Sequence, residues 1–144
     1  MEAIGHGLYV RKTKRGFGLY LKKKKLRVIP KRALYDYEIA RYAKNIPYFR
    51  GVFMRDTLPL KPRQKECGVV NLDTSIGPGS HWISYVKNGN TVKIFDSFGN
   101  LKPCKELIDY FKYCDVKYNR ERYQDFDESN CGQLCLYFLL ENKL

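Results

Sequence analysis

The chain is poor in the residue patterns that build metal centres and disulfide frameworks. Its 144 residues include only two histidines, and its five cysteines are odd in number and contain no Cys-x-x-Cys pair. This spacing argues against a zinc site and against a closed set of disulfides. We therefore expect no bound metal, and free thiols of the kind kept in a reducing compartment.

Long apolar runs are also missing. The longest, at residues 134–140, is far shorter than the ~20 residues needed to cross a bilayer. No signal-peptide pattern precedes the basic N-terminal stretch. We expect a soluble protein that is not secreted and has no membrane partner, and the length suits one folded domain.

Acidic residues are almost absent from residues 1–32, where Glu2 stands against 11 Lys and Arg, so this stretch carries most of the formal net charge of +12. The sequence Gly-His-Gly-Leu-Tyr-Val at 5–10 returns as Gly-Phe-Gly-Leu-Tyr-Leu at 16–21. Such a composition offers little for a core, so we predict a flexible basic arm over 1–32 and a folded domain over 33–144. The arm suits DNA as a partner; a tail that only aids solubility is the alternative.

Hydrophobic periodicity beyond residue 32 indicates alternating helices and strands. The pattern predicts helices over 33–44 and 102–113, extended segments over 48–54, 67–72 and 115–118, and a helix that starts at Cys131. Ser129 or Asn130 is expected to cap this last helix. Its apolar run predicts a central, buried helix packed against a small mixed or antiparallel sheet, which is an α+β fold.

The dipeptide Asn88-Gly89 is a strong signal for a two-residue hairpin loop. If Lys87 pairs with Asn90, apolar residues of the two strands face one another, and His81 stands opposite Asp96. The hairpin therefore predicts a histidine and a carboxylate side by side.

Cys131, at the start of a helix, is a candidate nucleophile. A thiol attacks as the thiolate, and a helix N-terminus and a nearby imidazolium both favour that form. His81 would be the base, and Asp96 would orient it. Gln124, seven positions before the cysteine, would donate its amide to an oxyanion together with the Cys131 backbone N–H.

Each of these residues also has an ordinary structural explanation. Free cysteines are often buried core residues, and this is the favoured interpretation of Cys135. A histidine is more often structural than catalytic, Asp96 is also explained as a turn residue, and Gln124 as a solvated loop residue. Only their joint arrangement in one chain favours catalysis.

Together these segments resemble the adenovirus protease (adenain) family, which is distantly related to the ubiquitin-like protein proteases. The resemblance rests on Gly-Ser-His-Trp at 79–82, Phe-Asp-Ser-Phe-Gly at 95–99, and Gln124 followed by Cys131-Gly132. It extends upstream to Pro-Tyr-Phe-Arg-Gly at 47–51 and Cys-Gly-Val-Val-Asn at 67–71, and it covers roughly residues 45–140.

The resemblance implies a cysteine endopeptidase with a papain-like or adenain-like core. It assigns the nucleophile to Cys131, the base to His81, the orienting acid to Asp96 and the oxyanion hole to Gln124. It further implies a monomer that processes viral precursor proteins during particle maturation, in the virion and the host nucleus or a cytoplasmic viral factory. No cofactor is required for the chemistry, while DNA and a short activating peptide are implied as stimulators, with Cys114 near the position of the disulfide-forming cysteine of the family.

Two other functions stay open from the sequence. One is a protease that removes ubiquitin or a ubiquitin-like modifier, and the other is a non-enzymatic DNA-packaging protein with a degenerate protease fold. The chain also ends 13 residues after Cys131, where the adenovirus enzymes continue. The intact set of four candidate residues argues against the packaging protein.

Overall fold

The computed structural model of the chain describes residues 2–5, 8–13, 16–21, 24–30, 32–99, 103–119 and 130–144. Up to residue 30 we describe the backbone alone, apart from the side chain of Ile29. The described residues form two sheets and three helices. No helix among them is long and apolar enough to span a membrane.

The first sheet lies within residues 1–32, the stretch that the composition predicts to be a flexible arm. It has four antiparallel strands in chain order, β1 Glu2–Gly5, β2 Leu8–Thr13, β3 Gly16–Leu21 and β4 Lys24–Pro30. The second copy of the internal repeat forms β3, and the last three residues of the first copy begin β2 and pair with it, Tyr9 opposite Tyr20. Part of the repeat therefore lies in two paired strands.

Ile29 shows that the hydrophobic core begins before residue 33. Its side chain is fully buried and belongs to the same cluster as Leu34, Ile39 and Leu136. The expected boundary at residue 32 would place this residue outside the folded domain. The division into two domains itself stays a prediction.

The second sheet carries the candidate site. It has five strands in chain order, β5 Phe49–Met54, β6 Lys65–Asn71, β7 Trp82–Asn88, β8 Thr91–Phe95 and β9 Asp115–Tyr118. The outer pairs, β5 with β6 and β8 with β9, are parallel, and the two inner pairs are antiparallel. The sheet is therefore mixed.

Three helices complete the domain, α1 Asp36–Ala43, α2 Lys105–Tyr110 and α3 Cys131–Glu141. Side chains of α1 and α3 join one core cluster with Trp82 and Val86, whereas α2 packs on the opposite face of the sheet against Ile83 and Tyr85. Alternate residues of β7 thus serve two cores, as the strand period of two requires. The predicted α+β class, with a central cysteine helix on a mixed sheet, is confirmed.

The hairpin register differs from the prediction by two positions. Asn88 pairs with Thr91 and Lys87 with Val92, so Gly89 and Asn90 form the loop. Gly89 takes φ +62° at the first loop position, where a type II′ turn requires glycine, and its N–H donates to the Gln64 carbonyl at 2.9 Å. A shift of two keeps every side chain on its face, so the apolar pattern alone did not reveal it.

A buried carboxylate fixes the sheet on the side of α2. Glu66 is fully buried, and its two oxygens accept hydrogen bonds from the hydroxyls of Tyr85 and Tyr110, from Arg50 and from the Arg63 backbone N–H. Burial alone would raise the pKa of Glu66, but these donors outweigh it and hold the pKa below its ordinary value. Both oxygens of the Glu66 carboxylate thus accept hydrogen bonds, so Glu66 is a structural group rather than a reactive one.

Candidate active site

His81 lies between a loop and the start of β7. The side-chain oxygen of Asn71 accepts hydrogen bonds from the backbone N–H groups of Asp73 and Ser80, both at 2.9 Å, and so fixes the two ends of this loop. The backbone carbonyl of His81 accepts from the Leu72 N–H at 2.9 Å. These three hydrogen bonds therefore fix the main chain at His81, at the start of the central strand of the sheet.

The structure brings His81 and Asp96 together. Nε2 of His81 lies 2.6 Å from Oδ1 of Asp96, and the same oxygen accepts the Phe98 backbone N–H at 3.0 Å. The Phe98 ring stacks on the imidazole with 4.0 Å between centroids. In the observed register His81 and Asp96 are diagonal neighbours just beyond the ends of β7 and β8. They do not stand directly opposite each other.

Cys131 is the first residue of α3 and lies beside the same imidazole. Burial by itself lowers the pKa of His81, but hydrogen bonds to Asp96 and Cys131 outweigh it and raise the pKa to about 9. The ring is therefore positively charged at neutral pH. Since Asp96 occupies Nε2, Nδ1 is the ring nitrogen left to face the thiol. A cationic ring next to a thiol at a helix N-terminus is the environment in which cysteines react as thiolates.

An open groove of about 760 Å³ gives access to both side chains. His81 and Cys131 line it together with Trp82, Phe98 and the segment 33–36. Residues 33–36, which lead into the first residue of α1, form one wall of the groove. A segment remote in sequence from the candidate pair therefore shapes it.

That wall is tied to the elements that carry the candidate pair. Nε1 of Trp82 donates to the Leu34 carbonyl at 3.1 Å, and Nε2 of the fully buried Gln133 donates to the Arg32 carbonyl at 2.8 Å. Trp82 follows His81 directly, and Gln133 lies in the first turn of α3. The two side chains therefore hold the wall in a defined position relative to the candidate nucleophile and base.

The remaining candidate residues have different positions. Gln124 and Ser129 lie outside the described residues, so the expected oxyanion hole and the Ser129 cap stay predictions. Asn130 occupies the N-cap position of α3 but makes no side-chain capping hydrogen bond. Cys114 has a free thiol and packs beside the α2 core, on the opposite side of the sheet from Cys131.

Two residues near the candidate acid were not assigned roles from the sequence. Phe98 belongs to the motif at 95–99, whereas Asn119 belongs to no motif, yet both contact Asp96. Phe98 lies two positions from the acid, so a signal was present in the sequence. Asn119 lies 23 positions away, and nothing local to it points to the site.

Comparisons with known proteins place the fold but not the family. No family model matches the chain, and no curated protein matches it. Among solved structures, it is similar to the selenomethionine crystal structure of the ASFV pS273R protease, with a TM-score of 0.51 and 16% identity. The match covers 84% of this chain and 64% of that one, so it spans less than two thirds of the ASFV protein. At this identity the likeness shows the fold alone.

Proposed function

We propose that this chain is a cysteine endopeptidase with Cys131 as nucleophile, His81 as acid and base, and Asp96 as the orienting carboxylate. One observation carries the proposal: His81, 2.6 Å from Asp96, also interacts with Cys131, and both side chains line the same open groove. Fold similarity to a viral protease and the resemblance of its motifs to adenain support the same reaction class.

The proposed reaction is acyl transfer through a thioester. The Cys131 sulfur attacks the scissile carbonyl carbon, and the tetrahedral oxyanion receives hydrogen bonds from the Cys131 backbone N–H and the Gln124 amide. The His81 imidazolium gives its proton to the amide nitrogen, which leaves as the amine. Water, deprotonated by the now neutral His81, then attacks the thioester, which releases the carboxylic acid and the Cys131 thiolate and leaves His81 again as the imidazolium.

Protein substrates suit the site because an open groove accepts an extended chain. The resemblance to adenain supports viral structural precursors as substrates, processed by a monomer in the virion or in infected cells. The 11 basic residues in 1–32 support DNA as a partner, with DNA and an activating peptide as stimulators.

Covalent labelling tests the reaction class. The full-length chain is treated with a thiol-directed peptide electrophile, with and without DNA, and the modified cysteine is identified by mass spectrometry. We expect Cys131 to react much faster than the other four cysteines, and the rate to fall in His81→Ala. Faster labelling with DNA would support DNA as a stimulator.

Unselective labelling would contradict the proposal. If Cys131 reacts no faster than Cys104 or Cys114 in folded protein, it is not an activated nucleophile. This result would favour the alternative of a DNA-packaging protein. Activated Cys131 that hydrolyses a modifier's C-terminal Gly-Gly linkage, but no precursor protein, would instead favour the ubiquitin-like modifier protease.

A further inference from the structure

Asn119 extends the contact between β8 and β9 by one step beyond the end of both strands. The parallel ladder ends with Ile94 opposite Tyr118. The Asn119 side-chain oxygen then accepts the Asp96 backbone N–H at 2.8 Å, and its amide nitrogen donates to the Asp96 carbonyl at 2.6 Å. A carboxamide carries the same donor and acceptor as a peptide group, so it replaces the missing strand partner.

Apart from the bond to His81, the other hydrogen bonds of Asp96 to described residues come from its own turn. Phe98 and Gly99 bond to Asp96 from within the same turn, so these bonds would move with the turn. The hydrogen bond to His81 is the contact that Asp96 must keep in order to orient the imidazole ring. Asn119 is thus the described residue that fixes the Asp96 main chain from a different strand.

We propose that Asn119 is a positioning residue that acts through Asp96, holding the carboxylate where it charges and orients His81. The inference rests on the proposed function, because the value of this geometry lies in the His81–Cys131 pair. Asn119 is not among the residues that line the groove, so its effect on substrate is indirect.

Three variants of the full-length chain test the proposal. Asn119→Ala removes both hydrogen bonds, Asn119→Asp keeps the acceptor and loses the donor, and Asn142→Ala is the matched control. Asn142 also donates its amide to a backbone carbonyl, that of Phe138, but at the far end of α3. Thermal unfolding of each variant reports any general loss of stability.

The first measurement is the pKa of His81 by NMR titration, with His6, the only other histidine, as an internal reference. Asp96, Cys131 and the Phe98 ring face the His81 ring. Asn119→Ala should lower this pKa from about 9 toward its ordinary value of 6.5, because Asp96 loses its anchor. Asn142→Ala should leave it unchanged.

The second measurement separates kcat from KM on a peptide substrate. Asn119→Ala should lower kcat by roughly 10- to 100-fold with KM nearly unchanged, since displacement of a catalytic group by about 1 Å costs this much. Asn119→Asp should lie between wild type and Asn119→Ala. Wild-type values of both the pKa and kcat in folded Asn119→Ala, or equal effects in Asn142→Ala, would overturn the proposal.

Failure of the proposed function would look different. If wild type shows no turnover and no selective labelling of Cys131, the peptidase proposal fails, yet the His81 titration still reports whether Asn119 positions Asp96. Conversely, an active wild type with an unperturbed Asn119→Ala variant rejects the positioning role alone.

Discussion

Cys131 and Cys135 lie one turn apart on α3, yet only Cys131 lines the groove. Cys135 is fully buried, and burial raises its pKa well above the ordinary thiol value. Adjacent positions on one helix face thus hold one accessible thiol and one inert thiol.

We therefore predict opposite effects of substitution at these two cysteines. Cys131→Ala should abolish peptide turnover while the protein stays folded. Cys135→Ala should retain kcat and lose about 1 kcal/mol of unfolding free energy, because it removes a buried sulfur. Turnover assays and chemical denaturation of both variants check this, and an equal loss of kcat in two folded variants would contradict the assignment.

Stability should depend on pH through His81. Its pKa is raised from 6.5 to about 9 in the folded protein, so the stabilising effect is complete below pH 6.5 and is lost as the pH rises through 9. Asp96→Ala should flatten this decline and cost on the order of 1–3 kcal/mol near pH 6, because the charged ring loses its partner.

Urea denaturation at several pH values between 6 and 10 measures the effect. Wild type and Asp96→Ala should differ most at the acid end and converge at the alkaline end. A difference that stays constant across this range would show that His81 does not carry the raised pKa.

Gln124 should contribute to the transition state rather than to binding. Removal of one oxyanion donor costs ~10²- to 10³-fold in kcat, so we expect Gln124→Ala to lose this much with KM little changed. Gln64→Ala, at an exposed position away from the groove, is the matched control. A Gln124→Ala variant with wild-type kcat would remove this residue from the mechanism.

Ile29 should matter to stability although it lies in the basic N-terminal stretch. Because its side chain is fully buried in the core cluster with Leu34 and Ile39, Ile29→Ala should cost about 2–4 kcal/mol of unfolding free energy. Ile76→Ala, at a side chain that is 96% exposed, should change stability by less than about 0.5 kcal/mol. If the two variants were equally stable, residues 1–32 would instead be a separate arm, as the composition predicts.

Much of the fold followed from local pattern, and the exceptions have physical causes. The helix predicted over 33–44 runs over Asp36–Ala43, and the strand predicted over 115–118 matches β9. The strands of the first sheet were not predicted, because a composition rich in Gly, Tyr and Lys offers little with which to build a core. The pairing of repeat copies in that sheet is a contact between segments, which composition does not report.

The sequence by itself determined which side chains are able to do chemistry: a cysteine at a helix start, one histidine after a turn, and an acid beyond a hairpin. Their types and their order in the chain are local information. The tertiary structure decided the geometry. The hairpin register was set with the help of the hydrogen bond from Gly89 to Gln64, because the period of two leaves registers two apart equivalent in pattern.

The anchoring of Asp96 by Asn119 was likewise decided only in three dimensions. It requires β8 and β9 to lie parallel and adjacent, and their connection passes through α2 on the other face of the sheet. No local rule relates residues 23 positions apart across such a connection. Sequence specifies the reactive groups, but the long-range pairing of strands specifies the distances at which they meet.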